Sequence, residues 1–154
     1  MSKILDDYSI VQLGLIVRDL ETTKKQVAEF LGVEVPPTVG SGDYAVTQTE
    51  YEGQPAPGAA CQMAFFRFGN LQVEFIQPNE APSVWRDQLE QRGEGMHHIA
   101  FQVKGMKRCV MNLEGAGIPM VQNGEYRRGN GRYAYFDARQ TLKMFIELLE
   151  SDEA

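Results

Sequence analysis

At 154 residues the chain is long enough to bury one core of ordinary size and too short for two independent domains. Its 43% hydrophobic and 23% charged residues are those of a globular protein, and no run approaches the roughly 20 apolar residues of a membrane span. A net charge of -6 argues against broad electrostatic binding to nucleic acid or to an anionic membrane, both of which need a basic surface, and points to a small-molecule partner.

The stretch from Met1 to Asp7 carries no apolar core of the secretory kind, so a cytoplasmic protein is expected. Cys61 and Cys109 stand far apart and in no CxxC arrangement, which predicts two reduced, buried thiols rather than a zinc ribbon or a redox pair.

Residues Ile10 to Val17 alternate as a strand, with Val11, Leu13, Leu15 and Val17 on one face and Gln12, Gly14 and Ile16 on the other. Gln12 is the polar exception. Asp19 is placed to cap a helix from about Leu20 to Leu31, which Gly32 stops. After Val35-Pro36-Pro37 and Gly40-Ser41-Gly42, the β-branched and aromatic run Tyr44 to Tyr51 predicts a strand. Gln62 to Phe68 and Leu71 to Ile76, split only by Gly69-Asn70, predict a tight hairpin. This first stretch therefore has the order β-α-β-β-β.

Ser83 can cap a linking helix through Val84, Trp85 and Leu89 to Gly93. The pattern then restarts: a strand at His98 to Val103, a helix at Met106 to Glu114, and strands at Met120 to Tyr126, Tyr133 to Asp137 and Met144 to Leu149. Strict alternation puts His98 with Ala100 and Gln102 on one face, and His97 with Ile99, Phe101 and Val103 on the core face.

The restart is a repeat. Gln12 to Asp19 corresponds to His98 to Gly105, and Val73-Glu74-Phe75-Ile76 corresponds to Ile146-Glu147-Leu148-Leu149. Each copy thus opens with a polar residue able to ligate a metal and closes on a strand carrying a glutamate among apolar residues. A glutamate so placed is costly to bury unless it is paired or bound to a cation. If the copies pack about a pseudo-twofold axis, Gln12, Glu74, His98 and Glu147 converge as one imidazole, two carboxylates and an amide oxygen. That set suits a divalent ion such as Zn, Ni, Co, Mn or Mg with positions left for water or substrate.

The run Gly93-Glu94-Gly95-Met96-His97-His98-Ile99-Ala100-Phe101, with Val73-Glu74-Phe75-Ile76-Gln77-Pro78 before it, resembles the vicinal oxygen chelate (glyoxalase, bleomycin resistance, dioxygenase) superfamily. Within it the chain looks most like methylmalonyl-CoA epimerase. Its Gln/Glu/His/Glu set is similar to that of the eukaryotic type of glyoxalase I, since Gln12 stands where the epimerase pattern has histidine. The resemblance covers nearly the whole chain and implies an α+β fold of two tandem β-α-β-β-β modules forming a cup-shaped mixed sheet around a metal site. A single domain over residues 1–154 is expected, with module one at about 9–78, a linking helix at about 82–93 and module two at about 96–150.

What the resemblance implies chemically is proton transfer next to a carbonyl, in a metal-dependent lyase or isomerase of the glyoxalase I or methylmalonyl-CoA epimerase type. Glu147 and Glu74 are then ligand, base, or both in turn. The epimerase pattern implies a further acid/base glutamate in the second strand, for which Glu50 is the candidate. The implied partner is a small carbonyl substrate, with glutathione or coenzyme A as alternative carriers. Arg127, Arg128 and Arg132 are either a solvated basic turn or receivers of anionic groups. Proteins of this kind commonly pair as homodimers. An extradiol dioxygenase would need histidine at position 12 for its two-histidine, one-carboxylate triad. The remaining alternative is a metal-free small-molecule binding protein of the same fold, like the antibiotic-sequestering members.

Overall fold

A computed structural model describes residues 3–153. The alternating apolar run becomes β1 (Ile10–Ile16), with Gln12 and Gly14 buried on one face and Leu13 and Leu15 half-buried on the other. α1 (Leu20–Leu31) follows, capped by the Asp19 carboxylate, which accepts the Thr22 N–H, and ended by Gly32 at φ 70°. That left-handed turn is open to glycine at no steric cost. The chain continues as β2 (Val39–Gly40), α2 (Tyr44–Thr47), β3 (Glu50–Tyr51), β4 (Gln54–Pro55), β5 (Cys61–Phe68), β6 (Leu71–Pro78) and α3 (Val84–Arg92). It then runs through β7 (Gly95–Gln102), α4 (Met106–Gly115), β8 (Met120–Glu125), β9 (Gly131–Ala138) and β10 (Met144–Ser151).

Among the described residues the strands form one curled ten-stranded mixed sheet, in the order β2-β5-β6-β1-β7-β10-β9-β8-β3-β4. At its centre β1 and β7 run antiparallel, flanked by the parallel partners β6 and β10. Leu13 faces Ile99, and on either side of that pair Gln12 faces Ala100 and Gly14 faces His98. Exchanging the two copies of the repeat maps this register onto itself. The next strands obey the same exchange, since Glu74 lies beside Gly14 and Glu147 beside Ala100.

The helices divide the core between them. α1 covers the convex face with Leu20 and Ala28 against Ala64, Phe66, Val73 and Phe75. α4 does the same at the other half, packing Met106, Cys109 and Leu113 against Phe101, Phe136, Ile146 and Leu148. α3 instead fills one end of the concave side, where Val84, Trp85 and Leu89 meet Ile16, Ile76, Tyr135 and Phe145. Burying each of these large apolar side chains contributes about 1.5–3 kcal/mol. Both cysteines are free and buried.

One element departs from the sequence-based expectation. The strand expected over Tyr44 to Tyr51 is split: Tyr44–Thr47 is helical, Gln48 turns left-handed at φ 46°, and only Glu50–Tyr51 is extended. That short strand pairs with β8, Glu50 opposite Asn123 and Tyr51 opposite Gln122, at the far edge of the sheet. β2 takes the place beside β5, with Val39 opposite Met63. β-propensity was therefore satisfied on the other copy, and residues 41–49 join the two ends of the curled sheet.

Candidate metal centre

The concave face is organised by the strand register. One row across β6, β1 and β7 reads Glu74, Gly14, His98, and the neighbouring row across β1, β7 and β10 reads Gln12, Ala100, Glu147. Each row places two polar side chains on either side of a residue with little or no side chain. At Gly14 the reason is steric: an added Cβ would lie 2.0 Å from Cε1 of His98. The imidazole occupies the space that any other residue's side chain would fill.

All four expected residues come together. His98 Nε2 lies 3.0 Å from Gln12 Oε1, 3.2 Å from Glu147 Oε1 and 3.8 Å from Glu74 Oε1. Glu74, His98 and Glu147 offer atoms within 4.8 Å of one another, a group able to hold a metal ion. His98 is 0% exposed and the other three are 5% exposed. The Gln12 amide nitrogen donates to Gln72 Oε1 at 2.8 Å, which turns its oxygen toward the group.

Burial disturbs every charge here. The Glu74 carboxyl is pushed well above the usual carboxylate range, by burial first and by the Glu147 charge second. Glu147 is pushed up to about 8 by burial, with a hydrogen bond from Tyr135 acting the other way. His98 is pushed down to about 3 by burial, so its imidazole is neutral at pH 7. Two carboxylates this costly to ionise, beside a neutral imidazole and an amide oxygen, form a donor set that fits a divalent cation. A cation would remove the penalty that holds both carboxyls up.

His97 lies elsewhere than alternation predicts. Gly14 faces His98 and the next residue, Leu15, faces Met96, so His97 is the extra residue of a β-bulge. Its Nδ1 lies 2.9 Å from His98 Nδ1 and its Nε2 3.1 Å from the Val84 carbonyl oxygen.

A cavity of about 290 Å³ opens on the group, with Gln12, Glu74 and Glu147 at its floor and Met63, Phe65, Trp85, Tyr133 and Tyr135 in its walls. Tyr135 stands opposite Glu147 in the ladder, and its hydroxyl accepts the Trp85 Nε1–H at 3.1 Å. Arg127 and Glu125 also line it. Arg128 is exposed, and Arg132 is committed to Glu150 and Asp152, each at 2.6 Å. Glu50 is not brought here. It lines a separate cavity of about 730 Å³ beside α4.

Gly14, Gln72, His97 and Tyr135 were not singled out from the sequence as parts of this site. Tyr135 is placed by the register of the last two strands, which sets it opposite Glu147.

Comparison with known proteins bears on the family. The model for the "Glyoxalase/Bleomycin resistance protein/Dioxygenase superfamily" matches residues 11–136. The protein YqjC of Bacillus subtilis (strain 168) is 30% identical over 89 residues, which are 57% of this chain and 64% of that protein, so the match spans less than two thirds of that relative. Among solved structures, methylmalonyl-CoA epimerase from Mycobacterium tuberculosis has a TM-score of 0.66 at 18% identity, covering 98% of this chain and 93% of that one. Streptomyces coelicolor methylmalonyl-CoA epimerase in complex with 2-nitronate-propionyl-CoA has a TM-score of 0.66 at 19% identity, covering 94% and 97%. The hypothetical protein BH1468 from Bacillus halodurans C-125 scores 0.65 at 21% identity, covering 95% and 96%. At these identities the structural likeness speaks to the fold. With the family model spanning β1 to β9, the chain belongs to the glyoxalase/bleomycin resistance protein/dioxygenase superfamily.

Proposed function

We propose that the protein is a metal-dependent lyase or isomerase that moves a proton next to a carbonyl, with Gln12, Glu74, His98 and Glu147 holding the ion. The observation that carries this reading is the buried juxtaposition of two glutamates with His98 Nε2, 3.2 and 3.8 Å away, at the floor of an aromatic cavity. A divalent ion bound there supplies Lewis acidity toward a substrate carbonyl oxygen, stabilising the charge that develops when the adjacent carbon loses its proton.

The chain's own residues account for the rest. Glu147 takes the proton from the carbon and returns it, while the Tyr135 hydroxyl orients its carboxylate. Glu74, on the parallel strand of the other copy, is the equivalent group on the opposite side of His98 and can serve as the second acid or base. The walls Met63, Phe65, Trp85 and Tyr133 exclude water from the reacting carbon and accept an apolar substrate fragment. Arg127, lining the same cavity, is placed to meet an anionic carrier group such as the phosphates of coenzyme A or a glutathione carboxylate. The epimerase neighbours support the coenzyme A carrier, and the Gln/Glu/His/Glu set supports the glutathione one. A homodimer is part of the same proposal, supported by Val11 and Met96, apolar and exposed on the central strands.

Metal analysis of the purified protein, followed by a screen for α-proton exchange in deuterated water, tests the reading. The expected result is about one divalent ion per chain and exchange into a 2-acyl thioester, an α-hydroxyketone or a glutathione hemithioacetal. A fully loadable site with no exchanging substrate would favour a binding protein, and a site that takes no metal would overturn the proposal.

A further inference from the structure

We propose that Trp85 is a positioning residue whose indole N–H occupies the Tyr135 oxygen and so holds the Tyr135 hydroxyl as a donor toward Glu147, which makes one half of the paired site unlike the other. The consequence for catalysis rests on the proton-transfer reading above. The hydrogen bond from the indole does not.

The repeat sets each glutamate opposite an aromatic residue of the next strand. Phe65 of β5 faces Glu74 of β6, Tyr135 of β9 faces Glu147 of β10, and both rings line the cavity. Of the two rings, that of Tyr135 bears a hydroxyl. Helix α3 adds a second difference, since it lies between the two copies and occurs once. The two differences meet at one contact, where Trp85 Nε1 lies 3.1 Å from the Tyr135 hydroxyl oxygen.

That contact has a single reading. An indole N–H donates and has no lone pair with which to accept, so the Tyr135 oxygen is the acceptor. A phenol keeps its own proton at neutral pH, and with the indole on its oxygen that proton points away from Trp85. The Glu147 carboxylate is the acceptor it meets. Both rings are buried, which makes an unpaired hydrogen on either one costly.

The indole is held in place from several sides. Trp85 stands in the first turn of α3, whose start is pinned by Ser83 accepting the Arg86 N–H at 2.9 Å and by Val84 donating its N–H to Gln122 Oε1 at 2.9 Å. Gln122 in turn donates to the Tyr133 oxygen at 3.2 Å, and the Tyr133 ring stands 6.3 Å from the indole and 5.6 Å from Tyr135. The Trp85 and Tyr135 rings themselves meet edge to face at 6.1 Å. A general base works when its oxygen is aimed at the proton it removes, and a misplacement of about 1 Å can cost on the order of 100-fold in rate. Tyr135 braces Glu147 in this way, and Phe65 offers Glu74 no such brace.

The chain contains one tryptophan, so its indole N–H gives one assignable 1H–15N resonance in the labelled, metal-free protein. Tyr135→Phe is expected to move that resonance upfield, as for an indole that has lost its acceptor. Trp85→Phe keeps a ring in the cavity wall and removes the donor. In the zinc-loaded protein, with a 2-acyl thioester, an α-hydroxyketone or a glutathione hemithioacetal as probe, it is expected to lower kcat for α-proton exchange roughly 10- to 100-fold and to leave KM within a few-fold. Added to Tyr135→Phe it is expected to cost little more, because both act through one hydroxyl. An indole resonance unmoved by Tyr135→Phe, or losses from the two variants that add in full as for packing alone, would overturn the inference. If Trp85→Phe does not fold, the resonance in Tyr135→Phe decides. A resonance that moves as described, in a protein whose zinc-loaded wild type exchanges none of the probes, would support the hydrogen bond while refuting the proton-transfer reading.

Discussion

Leu13 of β1 faces Ile99 of β7 at the centre of the sheet, and these two positions are equivalent in the two copies of the repeat. The pseudo-twofold axis therefore passes through an apolar pair, and every polar residue of the site is displaced from it in symmetric steps. Gln12 and His98 lie one residue to either side, each facing the small residue of the other copy. The convergence of four buried polar groups follows from that register.

Gly14→Ala tests the steric half of the arrangement. The new methyl would sit 2.0 Å from His98 Cε1, so the ring must leave its place even though the backbone there tolerates any residue. Zinc affinity measured by titration calorimetry is expected to fall at least about tenfold, as for loss of a ligand's support. An unchanged affinity would show that His98 Nε2 does not define the site.

The stability of the metal-free protein is expected to fall as pH rises above neutrality. Glu147 is held up to about 8 in the folded chain, against about 4.3 for an unfolded glutamate. A raised folded value means that the contribution is fully present below the unfolded value and is lost as pH rises through the folded one. Glu74 acts in the same direction. Melting temperatures should decline from about pH 7 to 9, above the range in which His97 and His98, both held below the ordinary histidine value of about 6.5, act in the opposite direction, and Glu147→Gln should flatten the decline and exceed wild type at the alkaline end. Saturating zinc should reverse the trend, because it binds the ionised carboxylates.

Tyr135→Phe removes the hydroxyl that hydrogen-bonds Glu147 and lowers its proton affinity. In the metal-free variant the Glu147 carboxyl carbon, followed by 13C NMR, should titrate at higher pH than in wild type. The ring remains to pack against Trp85 and His98, so the melting temperature should move little. A shift to lower pH would place the hydroxyl elsewhere.

The repeat made the site legible. Once Gln12 matched His98 and Glu74 matched Glu147, the fold of two paired copies and the four converging residues followed from one symmetry argument. His97 was misplaced because alternation assumes an unbroken ladder, and a bulge is set by tertiary pairing that no local pattern records. Glu50 was misplaced for a related reason: β-propensity says that a segment will pair, not which edge will receive it. Gly14 gave no sign of its role, because the ring that requires its missing side chain comes from a strand more than eighty residues away.

The central claim, proton transfer beside a carbonyl by Glu147 over a bound ion, is tested most directly by solvent deuterium incorporation. Wild type loaded with zinc, nickel, cobalt, manganese or magnesium is incubated in deuterated water with a 2-acyl thioester, an α-hydroxyketone or a glutathione hemithioacetal, and label at the α-carbon is followed by NMR. The account predicts enzyme-dependent label in at least one of these. It also predicts a drop of about 100- to 10,000-fold in the Glu147→Gln variant, compared at equal metal occupancy. No label with any of them at full metal occupancy, or label that persists undiminished in Glu147→Gln, would contradict it.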